Sequence, residues 1–233
     1  MQKKPSLELV LAQVLQDAQS EREKAVALHD FVRESVAFGF NKYFDAAPPE
    51  YTLACGKGHC NPKSQLMVAL FQKSGFESFQ HFVVVPKAIL RGAIPASQFW
   101  MIPKEISHSY VDVRVDGQWH RIDSFIVDTP LLESASARLA QEGREMGYAV
   151  RQGSVNVWDG CGDAFSQFSE DLMIEDHGQV EDALIFYEDK RYRNKALGLP
   201  FNTVFRIMGE LGVAPINRLI DRIRWKTEIN SVD

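Results

Sequence analysis

The chain has 233 residues, 45% of them hydrophobic, a formal net charge of -5 and a pI near 5.7. That content can bury a sizeable core, and it favours one domain over 1–233 with a C-terminal elaboration rather than two independent domains. No basic stripe marks a nucleic-acid partner, no run approaches the ~18 apolar residues of a membrane span, and three cysteines are too few for a disulfide framework. The start, Met1-Gln2-Lys3-Lys4-Pro5, lacks the apolar stretch of a secretory signal. The cytoplasm is therefore the expected compartment, and thiols there stay reduced.

In chain order, Leu7, Val10, Leu11, Val14 and Leu15 recur at helical spacing and predict a helix from Ser6 to Ala18. Ser20 with Glu23 reads as a capping box for a second helix, whose stripe is Leu28, Phe31 and Val32. Residues 39–59, with Pro48-Pro49, Gly56 and Gly58, read as irregular. Cys60-Asn61-Pro62 opens a helix, because proline is tolerated in a first turn. Leu66, Ala69 and Leu70 form its buried stripe, and Gly75 ends it. Phe79 to Val85 reads as a strand stopped by Pro86, and the length of the 86–106 connection argues for function or mobility. Ser107 to Val115 and Gln118 to Phe125 form two strands around Asp116-Gly117, a type I′ hairpin signal. Helices are expected over Leu131 to Gln141, Val180 to Tyr187 and Ile216 to Arg224, with an irregular segment around Asn156 to Gly162. Helices followed by strands give an α+β class with an antiparallel sheet.

The hairpin also makes a geometric statement. A two-residue loop pairs Val115 with Gln118, so Tyr110 faces Asp123 and His108 faces Phe125. Strand faces alternate, which puts His108, Tyr110, Asp112 and Arg114 on one face with Asp123, Arg121 and Trp119. His108 and Asp123 become diagonal neighbours, roughly 7–8 Å apart at the backbone. Arg121 and Asp112 supply a cross-strand ion pair on that face. Cys60, at a helix N-terminus, meets unpaired amides and the positive end of the helix dipole, both of which favour a thiolate. Gly58 allows a tight turn into that helix, and the Cys60 amide could donate to an oxyanion.

Gly58-His59-Cys60, then His108-Ser109-Tyr110-Val111-Asp112-Val113, then Asp116-Gly117-Gln118-Trp119-His120-Arg121-Ile122-Asp123 resemble the signature of the transglutaminase-like family. Ser64 supplies the small residue four after the cysteine. The resemblance covers roughly 20–130, which would be a transglutaminase-like core, with 131–233 as a C-terminal elaboration. It implies a papain-like fold in which the Cys60 helix packs on the antiparallel sheet. It also implies that Cys60 is the nucleophile, His108 the general base and acid, and Asp123 the orienting carboxylate. Gly58, His59 and Tyr110 are assigned to substrate binding, Tyr110 standing where the family often has Trp. Asn41 and Tyr51 are the only guesses for a second oxyanion donor, and nothing in the spacing supports them. No calcium site of the animal enzymes is matched.

The implied reaction is attack of the Cys60 thiolate on an amide or other acyl carbonyl of a peptide, protein or small amide, through a thioester and without a cofactor. Hydrolysis is the first expectation. Acyl transfer to an amine, or a silent binding module on the same fold, are the alternatives, and oligomeric state is open. Other residues take plainer readings. Cys55 and Cys161 are structural or surface thiols. Cys55, His59, Cys60 and His81 lack the paired knuckle of a zinc site. His29 and His81 read as structural, His120 as facing away from Asp123, and His177 as solvated in an acidic loop. Asp159, Cys161 and Asp163 lie in a Gly-rich turn, which reads first as a plain turn and otherwise as part of the cleft rim. Lys190, Arg191, Arg193 and Lys195 read as a solvated charge run.

Overall fold

In the computed structural model, which describes residues 6–196 and 198–225, serines start the first two helices. Ser6 accepts from the Leu9 amide ahead of α1 (Leu7–Val14), which stops short of the expected Ala18. Ser20 and Glu23 close the expected capping box on α2 (Glu21–Ser35). Met1-Gln2-Lys3-Lys4-Pro5, read above as carrying no signal, lies outside the described residues.

The stretch expected to be irregular is partly ordered. Parallel two-residue strands β1 (Ala37–Phe38) and β2 (Lys57–Gly58) bracket a 3-10 turn, Phe44–Ala46, and a helix, α3 (Pro49–Cys55). Pro49 occupies the first turn, where a missing amide loses nothing. Gly56 closes α3 with a left-handed φ of 64°. The prolines and glycine were helix start and stop signals.

The chain continues through α4 (Cys60–Lys73), β3 (Ser78–Pro86), a second 3-10 turn at Lys87–Leu90, α5 (Ala96–Phe99), β4 (Glu105–Val115) and β5 (Gln118–Ile122). It then runs through α6 (Thr129–Glu142), the small pair β6 (Met146–Gly147) and β7 (Val150–Arg151), β8 (Glu175–Val180) and α7 (Ala183–Glu188). A last small pair, β9 (Lys195–Ala196) and β10 (Leu199–Pro200), leads into α8 (Phe201–Trp225). The main sheet is antiparallel with order β5-β4-β3-β8. This is the α+β arrangement expected.

Asp116 and Gly117 both have positive φ, 49° and 79°, as a type I′ turn requires. The register runs as derived from the loop, Val115 opposite Gln118 through Val111 opposite Ile122. Alternation then splits β4. Val111, Val113 and Val115 join the core with Leu66, Leu70 and Phe71 of α4, while Phe168 covers His108 and Tyr110 on the other face. β5 ends at Ile122 rather than Phe125, because Asp123 and Ser124 turn their amides to Ala164 O, at 2.9 and 3.1 Å. Asp112 and Arg121 are opposite in register but pair elsewhere, Asp112 with His81 and Gln179, Arg121 with Asp163 and Glu170.

Three further differences lie in the C-terminal half. β8, Glu-Asp-His-Gly-Gln-Val, shows no apolar alternation, since it is an edge strand held by its ladder to β3. His177 therefore sits in a strand, with its side chain against Phe186 at 5.6 Å, rather than solvated in a loop. Asp182 caps α7, so that helix starts at Ala183 and not at Val180. α8 begins well before Ile216 and is broken at Gly209 (φ 64°, ψ -157°), which divides it into two helical segments. The 190–195 run is largely paired: Arg191 meets Asp189 and Arg193 meets Glu175. Among the described residues, no helix is long and apolar enough to cross a membrane.

His81 ties three strands together, with Nδ1 on Asp112 Oδ2 at 2.9 Å and Nε2 on Asp176 Oδ1 at 2.7 Å. Burial pushes its pKa down, but the two carboxylates outweigh burial and leave it above the ordinary 6.5. A raised imidazole pKa adds stability fully present below 6.5, which is lost as pH rises through the folded value. The urea midpoint of the wild type should therefore fall relative to that of His81→Asn as pH is raised from 6.5. A constant difference between the two proteins would show that the bridge is not charged.

Candidate active site

Cys60 is the first residue of α4, where the first-turn amides have no intrahelical acceptor. A Cβ on Gly58 would lie 3.0 Å from the Lys63 side chain and 3.1 Å from Thr52, a tight fit that a larger residue would relieve only by shifting those side chains. His108, on β4, is 4% exposed and lines the same cavity as Cys60, near enough for the Cys60 charge to act on it. Its Nε2 lies 3.3 Å from Asp123 Oδ2, which leaves Nδ1 for the thiol. Burial alone would depress the His108 pKa, but the Cys60 charge and the hydrogen bond to Asp123 raise it to about 10. The three side chains thus lie together, with a hydrogen bond joining His108 to Asp123 and Cys60 on the far side of the imidazole.

Asp123 is fully buried and held from the far side by a segment 43–45 residues downstream. The Ser166 amide donates to Oδ1, the Gln167 amide lies between both oxygens at 3.2 and 3.3 Å, and the Phe168 amide donates to Oδ2 at 2.7 Å. Ser166 Oγ adds contacts to Oδ1 and to the Asp123 carbonyl oxygen. Three consecutive amides converging on one carboxylate form an anion-binding nest. The Phe168 ring then lies parallel to the His108 ring, within 10°, at 6.4 Å.

Beside Cys60 and His108 lies a cavity of about 100 Å³. His59 is part of its wall. The ring is packed between Phe40 at 4.6 Å and Phe44 at 4.7 Å, and Nε2 meets Asp45 Oδ1 at 2.5 Å. Asp45 Oδ2 accepts from Tyr192 OH and from Asn194 Nδ2 at 2.7 Å. Burial first, then the Asp45 charge, holds the Tyr192 pKa well above the ordinary phenol, so its hydroxyl keeps the proton and donates. Asp45 is thereby an acceptor on both oxygens, which fixes the His59 ring orientation.

The structure brings Cys60, His108, Asp123 and His59 together. It does not bring Tyr110 or Gly58 to the cavity. Tyr110 is 2% exposed, sealed by His81, Phe165 and Phe168, and Gly58 is enclosed by Thr52 and Lys63. Both assignments to substrate binding are therefore corrected. Asn41 and Tyr51 are engaged elsewhere, Asn41 with Lys57 O and the Tyr43 amide, Tyr51 with Glu210. Cys55 and Cys161 are exposed free thiols. His29 is buried with Nε2 on Ser124 Oγ at 2.7 Å, and His120 packs on Trp158 on the face away from Asp123. Sequence reasoning missed Asp45, Asn194 and residues 166–168. Their roles come from contacts 14 to 149 residues apart, which no local spacing encodes.

A thiol at a helix N-terminus, facing a histidine and a carboxylate carried on an antiparallel sheet, is the papain-like arrangement of thiol proteins. Residues 10–124 match the family model described as the transglutaminase-like superfamily. The chain carries a transglutaminase-like domain, from a superfamily made up in general of cysteine enzymes. No curated protein matches the chain.

Proposed function

We propose that this protein is a thiol-dependent acyl hydrolase acting on an amide or ester of a peptide, protein or small molecule. The observation that carries the reading is His108, hydrogen-bonded to Asp123 and set beside Cys60 on the wall of one cavity. The Cys60 thiolate forms a bond to the carbonyl carbon, and the electron pair of the C=O moves to oxygen, where the Cys60 amide can donate. As the carbonyl reforms, the C–N or C–O bond breaks and His108 gives its proton to the leaving group. Water then loses a proton to His108 and attacks the thioester, returning the thiol and releasing the acid. Asp123 holds the ring in place during both transfers. An amine in place of water would give acyl transfer, and product diverted by added amine would identify that outcome.

The test is alkylation with iodoacetamide, read by mass spectrometry at each cysteine. Cys60 should react rapidly at pH 6–7, where a free thiol of pKa about 8.5 is mostly protonated. Cys55, whose thiol burial pushes up, should be slow there. The Cys60 profile should change again near pH 10, as His108 loses its proton. Ordinary thiol behaviour at Cys60, unaltered by His108→Gln, would refute the reading.

A further inference from the structure

We infer that the acyl group taken by this site is apolar and uncharged, seated in the cavity beside Cys60. The inference rests on the thiol chemistry proposed above and names its substrate class. The cavity walls come from well-separated parts of the chain, represented by Phe40, Phe44, Leu90, Ile102, Phe205 and Ile216. Among the described residues, no Asp, Glu, Lys or Arg lines it. A charged acyl group entering it would lose hydration, and the His108 charge on the wall is already engaged by Asp123.

Gln98 also lines the cavity, but three other polar side chains of the wall are turned to partners within the protein. Asn194 spends both amide atoms on Asp45 and Ser107, Ser107 Oγ accepts from the Arg193 amide, and Gln167 Nε2 donates to Ala149 O. His59 is the exception. It is 5% exposed and lines the cavity, yet its Nδ1 is buried with no hydrogen-bond partner. That atom is enclosed by protein and offers an entering group no contact. The nucleophile opens onto the same cavity, so the group seated there would be the acyl portion of the donor. Largely apolar walls fit an aliphatic or aromatic acyl group whose only polar atoms lie at the bond to be cut.

The test is a series of p-nitrophenyl esters on the full chain: acetyl, butyryl, hexanoyl, and the glutaryl half-ester as a charged analogue of similar length. Formation of the Cys60 thioester is followed by mass spectrometry. Each buried methylene favours binding about fourfold, so hexanoyl, four methylenes longer, should acylate Cys60 about 250-fold faster than acetyl, and faster than glutaryl. Phe205→Glu, which places a carboxylate in the wall, should erase the preference. Wild-type Cys60 that alkylates rapidly but shows rates flat with chain length, or favours glutaryl, would overturn the inference and leave the thiol reading standing. Should Cys60 behave as an ordinary thiol and no ester acylate it, the thiol reading fails. Hexanamide binding, followed by NMR, then decides the cavity: shifts in the wild type that are lost in Phe205→Glu support an apolar seat, and no binding overturns it.

Discussion

His108→Gln should slow acylation of Cys60 by p-nitrophenyl hexanoate about 10²–10⁴-fold at pH 7, the range for losing a positioned proton donor and acceptor. Glutamine keeps much of the bulk and can still reach Asp123, but it cannot take and return a proton. The pH dependence gives the sign. His108 holds its proton up to about pH 10 because the Cys60 charge and Asp123 outweigh its burial. Across the neutral range the wild type therefore keeps a proton for the leaving group, which the variant lacks. The deficit should be largest near neutrality and shrink in alkali, where hydroxide ionises the thiol without help. Stopped-flow release of p-nitrophenol, with a urea melt to verify folding, measures both. A rate within a factor of three of wild type at pH 7 would make His108 a packing residue and the proposed reaction untenable.

Arg224→Met should destabilise the fold by about 3–5 kcal/mol, the range for leaving one member of a buried ion pair uncompensated. Arg224 is 5% exposed and Asp128 3%. The guanidinium grips the carboxylate with two bonds, Nε to Oδ1 at 2.7 Å and Nη2 to Oδ2 at 3.0 Å, and Nη2 also donates to Phe38 O at 2.7 Å. Asp128 Oδ2 accepts from the Phe38 amide at 2.8 Å. The pair fastens α8 and the start of α6 to β1, so one side chain secures three elements. Lys63 modulates the loss. Burial depresses its pKa to about 7, Asp128 raises it and Arg224 lowers it, so removing Arg224 favours the charged lysine beside the stranded carboxylate. The urea midpoint reads the loss, and Asp128→Asn/Arg224→Met should lose less than the two single variants added together. Additive losses would mean that the two side chains act separately.

What could be read from the sequence was what local rules control. Asp116-Gly117 fixes a turn, the turn fixes a register, and the register places His108 near Asp123. Cys60 announces itself by Gly58 before it and Pro62 after it, a turn followed by a helix start. The 49–55 helix was hidden because the same prolines that start a helix also mark loops. β8 was hidden because an edge strand needs no apolar face, and α8 because Gly209 breaks its periodicity. Tyr110 was misplaced for a different reason. Its face of the strand was derived correctly, but only the fold shows that Phe168 closes over that face. The Asp45 cluster and the 166–168 amides belong to this last kind. They are buried polar groups whose partners are distant in sequence, so their burial and their function both appear only on folding.

The downstream origin of the Asp123 amides has a consequence for the order in which the molecule matures. Chains emerge from the ribosome N-terminus first. A nascent chain that has reached Val127 already contains Cys60, His108 and Asp123, but not the three peptide groups that grip the carboxylate. Until Ser166, Gln167 and Phe168 have been made and docked, the histidine has no fixed support. Nothing seals its face of the sheet either, since Phe168 supplies both the last amide and the covering ring. Assembly of this arrangement thereby waits on synthesis of Phe168, and a shorter nascent chain holds Cys60, His108 and Asp123 without the contacts that fix them.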